Sequence, residues 1–460
     1  MSFKNCSKNE TIFKQLCFLF IISFFIMIFA SVNTANAKKE YTLDELYRIA
    51  LENSEKVKLS EEDLYISKLI KDKAISVLLP KLSAFGGYTK FSEEKSSITG
   101  SVIQPEYSKL WGVRLDQSFS LSGREITALD ISSKGIEKSR HDLSAARENY
   151  IMVVSLSYYD VLKAKKLLDI SKANIERLTK HRDAALIRLK IGEVTKTALL
   201  RAEAELSGAA SEVVRSDNNL KLAKAILARV VGLNEDFDIR EDMLLPELKS
   251  PDLTYLTGDC SLPAAECLKQ AAFSQRSDLK SMEIQKRISD EQVKYAKGAY
   301  YPTLSIEGVW ARKDEDPASA FLNKESIYGS VKINFPFFEG GLRKAEVREA
   351  ESRKKQAELL YYDVRKTIGI EVENAYLDFF TLTGILKSLE DQLAFARDNF
   401  NSVNKQFEYG LANSIDVMDA NTLFITSERQ LSDAVYNLQL AEIRMKKAAG
   451  VLLKTVNSEQ

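Results

Sequence analysis

After its first 37 residues the chain contains no run of 18 or more apolar residues, so no helix there can cross a bilayer. If that part enters a membrane, it does so as a β-barrel, which also satisfies every backbone hydrogen bond in lipid. Histidine is nearly missing. His141 and His181 are the only two, and neither has a paired nucleophile or metal-ligand spacing, so nothing supports an enzyme, a cofactor or a metal site. Net charge is missing too: 65 basic and 65 acidic side chains balance, which gives no support for a nucleic-acid partner. Proline is absent from two long windows, because all eight prolines (80, 105, 246, 251, 263, 302, 317 and 336) fall outside Gly123–Gly232 and Gly341–Gly450. Proline breaks helix interiors, so both windows can be helical throughout except near Gly192 and Gly410. Each is then a helical hairpin whose first arm, about 65 residues, reaches on the order of 100 Å at 1.5 Å per residue.

The N-terminus points to export. Lys4, Lys8 and Lys14 precede an apolar run from Leu16 to Val32, and Ala35-Asn36-Ala37 has the small-x-small form of a signal-peptidase site. The expectation is a signal peptide at 1–37 and a mature chain starting at Lys38, with an uncleaved anchor as the alternative. Removing three lysines and one glutamate from 65 and 65 leaves 62 basic and 64 acidic side chains. Cys6 and Cys17 leave with the signal. Cys260 and Cys267 remain and could form a local disulfide, although their spacing does not establish it.

What is present comes twice. Gly123, Tyr158, Gly192, Ala202 and Gly232 recur 218 residues on as Gly341, Tyr376, Gly410, Ala420 and Gly450. Upstream the offset is 222, with Ala50 on Ala272, Val57 on Leu279 and Pro80 on Pro302. So small a drift indicates a duplicated unit, and the unit is too long for a solenoid repeat, which suggests two equivalent halves as in transport proteins built by duplication.

Within the windows the apolar period is 3.5. Val417, Phe424, Leu431, Leu438 and Met445 recur every seven residues beside Ala420, Ser427, Ala434, Ala441 and Ala448. The first half repeats this with Leu199, Leu206, Val213, Leu220 and Leu227 beside Ala202, Ala209, Ser216, Ala223 and Val230. Large residues at one core position against small ones at the other predict antiparallel coiled-coil packing. Between the windows the period falls to two. Leu304, Ile306, Gly308 and Trp310 share one face against Ser305 and Glu307; Val331, Ile333, Phe335 and Phe337 alternate with Lys332 and Asn334; Trp111, Val113, Leu115 and Phe119 alternate with Arg114 and Asp116. Strands of about ten residues with one apolar face and terminal aromatics fit a transmembrane barrel. Two hairpins supply four strands, too few to close a barrel, so an oligomer must provide the rest.

The order of these elements, with LLPKLSAFGGY, FSLSGRE, KIGEVTKTALLRAEAEL, YYPTLSIEG, INFPFFEGGLRKAEV and FEYGLANSIDVMDANTLF, resembles the TolC-type outer-membrane efflux proteins over essentially the whole mature chain. The resemblance implies a membrane α+β fold: a homotrimer with one 12-stranded outer-membrane β-barrel, four strands per chain, continued by a long α-helical coiled-coil barrel across the periplasm. It implies outer-membrane lipid around the barrel. It also implies a passive exit duct for efflux or type I secretion, recruited by a periplasmic adaptor (membrane fusion protein) and an inner-membrane pump of RND, ABC or MFS type. A poreless periplasmic coiled-coil scaffold or adaptor-like protein is the alternative. On this reading the first repeat spans 38–232, with a β-hairpin at about 81–121 and a helical hairpin at 124–231. A periplasmic linker covers 233–262, and the second repeat 263–450 carries a β-hairpin at about 303–338 and a helical hairpin at 342–449, followed by a tail at 451–460.

The same resemblance places Asp416 and Asp419 at the aspartate rings that narrow the family's periplasmic tip, with Ala198 and Arg201 at the matching first-half positions. Three-fold rings of carboxylates at a constriction favour cations. Asp416 could equally serve only as a helix cap, since Asn413 and Ser414 precede it. The family's locking arginine has no counterpart at Ala412. The turns at Gly192 and Gly410, with Leu189, Leu199, Phe407 and Val417, are expected to form the adaptor-docking end, because a heptad pair that stops at an exposed turn leaves its last apolar positions half covered. The halves also differ: Ser118 stands where the second has Pro336, and Gly123 alone where the second has Gly340-Gly341.

Overall fold

A computed structural model describes residues 39–233, 237–241, 263–319 and 322–454. The expected signal segment, Cys260, most of the 233–262 linker and residues 455–460 lie outside the described residues. Strand β1 (Lys39–Tyr41) leads into helices α1 (Leu43–Asn53) and α2 (Glu55–Leu78). A capping box starts α1: Glu45 N donates to Thr42 Oγ1 at 3.3 Å while Thr42 N donates to Glu45 Oε2 at 2.9 Å. Past Pro80, β2 (Lys81–Lys90) climbs to a tip where β3 (Lys95–Ser96) and β4 (Val102–Gln104) form a short hairpin of their own, and β5 (Tyr107–Ser120) returns. Gly123, at φ 71°, turns the chain into α3 (Arg124–Lys190), which is followed by α4 (Lys196–Val231) and β6 (Phe237–Ile239), the parallel partner of β1.

The second repeat runs through α5 (Ala264–Gln275), α6 (Ser277–Lys297), β7 (Thr303–Asp316), β8 (Glu325–Asn334), α7 (Leu342–Glu408) and α8 (Ser414–Ala448). The repeat extends to the core. Leu46 and Leu268, Val154 and Val372, Leu168 and Leu386, and Leu227 and Met445 are all buried at the same offsets. Arms α3 and α7 are 67 residues each, on the order of 100 Å long.

The four main strands form one antiparallel sheet in the order β2-β5-β7-β8, and the β5·β7 pair, Tyr107↔Asp316 to Ser120↔Thr303, joins the repeats. Register puts Leu82, Ala84, Val113, Leu115, Leu304, Ile306, Val331 and Ile333 on one apolar face. Ser83, Arg114, Asp116, Ser305, Glu307, Ser330 and Lys332 share the other. Gly112 lies under the Phe85 ring, and a Cβ there would collide with both Phe85 and the Trp310 carbonyl.

Two expectations are corrected. The strands are not uniform: the inner pair β5 and β7 has 14 residues each and the outer pair 10. Phe335 and Phe337 lie beyond the end of β8, because Pro336 has no N–H for a ladder bond, whereas Ser118 lets β5 continue to Ser120.

The helices form a layer in which α4 packs on α3, α3 on α8, and α8 on α7. The heptads are buried unevenly. On α8, Val417, Phe424, Leu438 and Met445 and their small partners are buried, because α8 has a helix on each side. On the edge helix α4, Leu206, Val213 and Leu220 are only half-buried. Among the described residues no helix is long and apolar enough to cross a membrane.

Candidate functional site at the helical tip

The two hairpins turn at glycines in the left-handed region, Gly192 at φ 77° and Gly410 at φ 79°. Each closes its helix by a Schellman pattern: Glu193 N donates to the Arg188 carbonyl at 2.9 Å, and Leu411 N to the Gln406 carbonyl at 2.8 Å. A side chain at Gly410 would also meet Arg188 Nη2 at 3.1 Å, whereas nothing lies within 4 Å at Gly192.

Of the expected docking residues, Leu189 is half-buried as a half-covered heptad would leave it, whereas the other three are not. Phe407 and Val417 are each 1% exposed and Leu199 is also buried. Phe407 and Val417 belong to a small apolar cluster with Leu178, Ala209 and Met418. They are covered because α3 lies against the start of α8 and completes the heptad that the hairpin alone leaves open. The apolar surface of the tips is instead Tyr409 and Leu411, 80% and 79% exposed, with Ile187, Ile191, Leu200 and Ile415.

Asp416 does cap its helix. Its Oδ2 accepts the Asn413 N–H at 3.0 Å while Asn413 Oδ1 accepts the Asp416 N–H at 3.0 Å, a reciprocal box that fixes the first turn of α8. Asp416 and Asp419 are both exposed in the isolated chain, and Asp419 has no side-chain partner among the described residues. Arg201 is exposed as well and pairs with neither aspartate. Glu307, on the polar face of the sheet, is met by Lys332 at 3.2 Å and Arg114 at 3.9 Å, so two cations flank one carboxylate there. Cys267 is disulfide-bonded, and Cys260 lies outside the described residues.

Sequence reading missed the joint between the hairpins. Asn174, His181 and Arg188 are spaced seven apart on α3, and Asn421, Ser414 and Phe407 are spaced seven apart in the opposite direction. The antiparallel helices bring them together as rungs. Asn421 Nδ2 donates to Asn174 Oδ1 at 3.0 Å, His181 Nε2 meets Ser414 Oγ at 3.0 Å, and Arg188 Nη1 donates to the Phe407 carbonyl. Phe407 is held from both sides of the ladder: its ring centroid lies 4.8 Å from that of His181 and 4.8 Å from the Arg188 guanidinium. Below it, Arg177 and Arg397 approach the Phe424 ring at 4.7 and 5.6 Å. Of nine buried side-chain atoms without a protein partner among the described residues, six belong to Arg177, His181, Asn421, Glu428 and Arg429 of this pair of helices. The heptad spacing of Asn174, His181 and Arg188 was the available signal, but each polar residue looked like solvated helix surface when α3 was read alone.

A sheet with one apolar face, set on a layer of very long helices, fits one chain of an outer-membrane channel. Residues 268–451 match the family model described as outer membrane efflux protein. The chain is 21% identical over 386 residues to the outer membrane protein TolC of Vibrio cholerae, covering 82% of this chain and 83% of that one. It is 22% identical over 393 residues to TolC of Escherichia coli, covering 83% and 76%. The Campylobacter jejuni CmeC outer membrane channel superposes with a TM-score of 0.78 at 19% identity, covering 91% of this chain and 89% of that one. The chain carries an outer membrane efflux protein domain, is similar to the TolC-type outer-membrane efflux proteins over most of its length, and is an outer-membrane protein that extends into the periplasm. It is an efflux duct.

Proposed function

We propose that three copies of the chain form one exit duct, recruited at its helical tips by a periplasmic adaptor and an inner-membrane pump, and that Asp416 and Asp419 ring its entrance. The observation that carries this reading is the sheet: β2 and β8 are open edges, and one face of all four strands is apolar. Lipid tolerates no open edge, so a membrane-inserted sheet must close on copies of itself. A scaffold without a pore would leave that apolar face unexplained.

The tips support the rest. Tyr409, Leu411, Ile191 and Leu200 offer exposed apolar surface at the glycine turns, where a helical hairpin of an adaptor can seat. Leu199, Phe407 and Val417 support that surface from beneath. Substances that leave cells by a pump or by type I secretion fit such a duct, and the chain's part is passive.

Chemical cross-linking of the membrane-extracted protein tests the reading: a three-chain species that conducts ions in planar bilayers is expected, and conducting monomers would contradict it. Hexamminecobalt added from the tip side should block conductance. Asp416→Ala with Asp419→Ala should relieve the block, and an equal block in that variant would move the cation site away from these residues.

A further inference from the structure

The buried histidine of the inter-hairpin ladder is used by nothing described so far. His181 is 5% exposed, its Nε2 is engaged by Ser414, and its Nδ1 is buried without a protein partner. Ser414 is the first residue of α8, two before Asp416 and five before Asp419. Whatever holds Ser414 therefore sets where both carboxylates stand.

The charges around the ring come from three helices, and none of them pairs with it. From its own helix the nearby charges are Arg177 and Arg188; from α7 comes Arg397, one of two cations over the Phe424 ring. From α8 come Glu428, which acts on Arg177, and Asp416, which is tied back to Asn413. From α4 the cluster receives only Leu206 and Ala209. No acidic side chain among the described residues pairs with His181. A proton on this imidazole would create a buried cation without an acidic partner, its Nδ1–H meeting no acceptor among the described residues.

We propose that His181 is a positioning residue for the tunnel entrance, seating the start of α8 against α3 when neutral and releasing it when protonated, so that opening of the duct is favoured by acid. The proposal rests on the duct reading. Burial holds the imidazole below its ordinary 6.5 in the seated tip, while a released, solvated tip returns it to that value. Because the seated form has the lower pKa, seating is complete above 6.5 and weakens as pH falls below it. Each unit of difference between the two forms shifts the balance about tenfold.

Two measurements on the full-length protein test this. Histidine C2-hydrogen exchange on the wild-type trimer, read by mass spectrometry, reports the two imidazoles separately. His181 should titrate below 6.5, and a midpoint at or above 6.5 would overturn the proposal. In planar bilayers, acidifying the tip side from about pH 7.5 to 5.5 should raise wild-type conductance, by up to about tenfold, the limit set by a released imidazole at its ordinary 6.5. The uncharged His181→Gln should be insensitive to pH at the same trimer level, while Ser414→Ala, which keeps the imidazole, should retain a pH response from a higher baseline. A flat wild-type profile would overturn the latch, as would a His181→Gln profile matching wild type, which would assign the response to other groups. Failure of the duct reading looks different: no variant would conduct at any pH.

Discussion

Helix α8 packs mainly on α7 and α3 and presents different materials to them. Toward α7 it buries Leu438, Ala441 and Met445 against Phe379, Ala375 and Leu386, an apolar seam within the second hairpin. Toward α3 it adds hydrogen-bonded rungs to apolar contact: Asn421, Ser414 and Asn437 meet Asn174, His181 and Lys163 at 3.0, 3.0 and 2.7 Å, while Val417 and Met418 cluster with Leu178, and Tyr436, Leu440 and Ile443 with Tyr158, Val161 and Leu162. Parting the first seam exposes apolar area to water, about 25 cal/mol for each Å². Parting the second exposes apolar area as well, but each of its polar rungs exchanges a protein hydrogen bond for water at a net change of only about 1 kcal/mol. The polar rungs at Asn421 and Ser414 therefore make the tip end of the joint the part that yields most readily.

The largest expected effect lies on the apolar side. Met445 is 1% exposed, and Met445→Ala should cost about 3 kcal/mol through lost burial and the cavity left behind, read as a lower melting temperature of the trimer. An effect below about 1 kcal/mol would show that the hairpin seam is looser than its burial implies.

The far end of the polar joint carries a second buried group. Burial, and then Asp278, push the Glu148 carboxyl of α3 up to about 7, against the pull of Arg276, Lys447 and Lys280. Its folded value lies above the ordinary 4.5, so the wild type loses stability as pH rises from 4.5 and the loss is complete above about 7. Glu148→Gln should thus gain about 2 kcal/mol over the wild type near pH 8, and little near pH 4, in paired thermal melts. A gain that is equal at both pH values would assign the effect to packing.

A smaller effect separates the two seams directly. Replacing Asn174 and Asn421 together by leucine removes the rung and its unpartnered Asn421 Oδ1, and should stabilise the closed tip by about 1 kcal/mol while lowering conductance. Smaller still, Asp416→Asn keeps an acceptor for the Asn413 N–H and should lower stability by about 0.5 kcal/mol, with Asp416→Ala costing about twice that.

Much of this architecture was legible because it is periodic. The 218-residue offset, the proline-free windows and the alternation around Trp111 and Trp310 each report one local rule applied many times. The joint was not legible, because Asn174 and Asn421 are 247 residues apart and their pairing depends on how two finished hairpins lie together. The same cause misplaced Phe407 and Val417, whose cover comes from α3 rather than from their own hairpin. Phe335 and Phe337 continued an alternation that Pro336 had already ended.

The most direct test locks each seam of α8 in turn. Cysteines at Asn174 and Asn421 bridge the joint, and cysteines at Gln392 and Gln430, which are hydrogen-bonded at 3.2 Å, bridge the second hairpin. With both pairs oxidised to the same extent, the joint cross-link should abolish efflux until a reductant is added, and the hairpin cross-link should leave efflux unchanged. Normal efflux through a duct with a locked joint, or a block by the hairpin cross-link alone, would contradict the claim that the seam toward α3 is the one that opens.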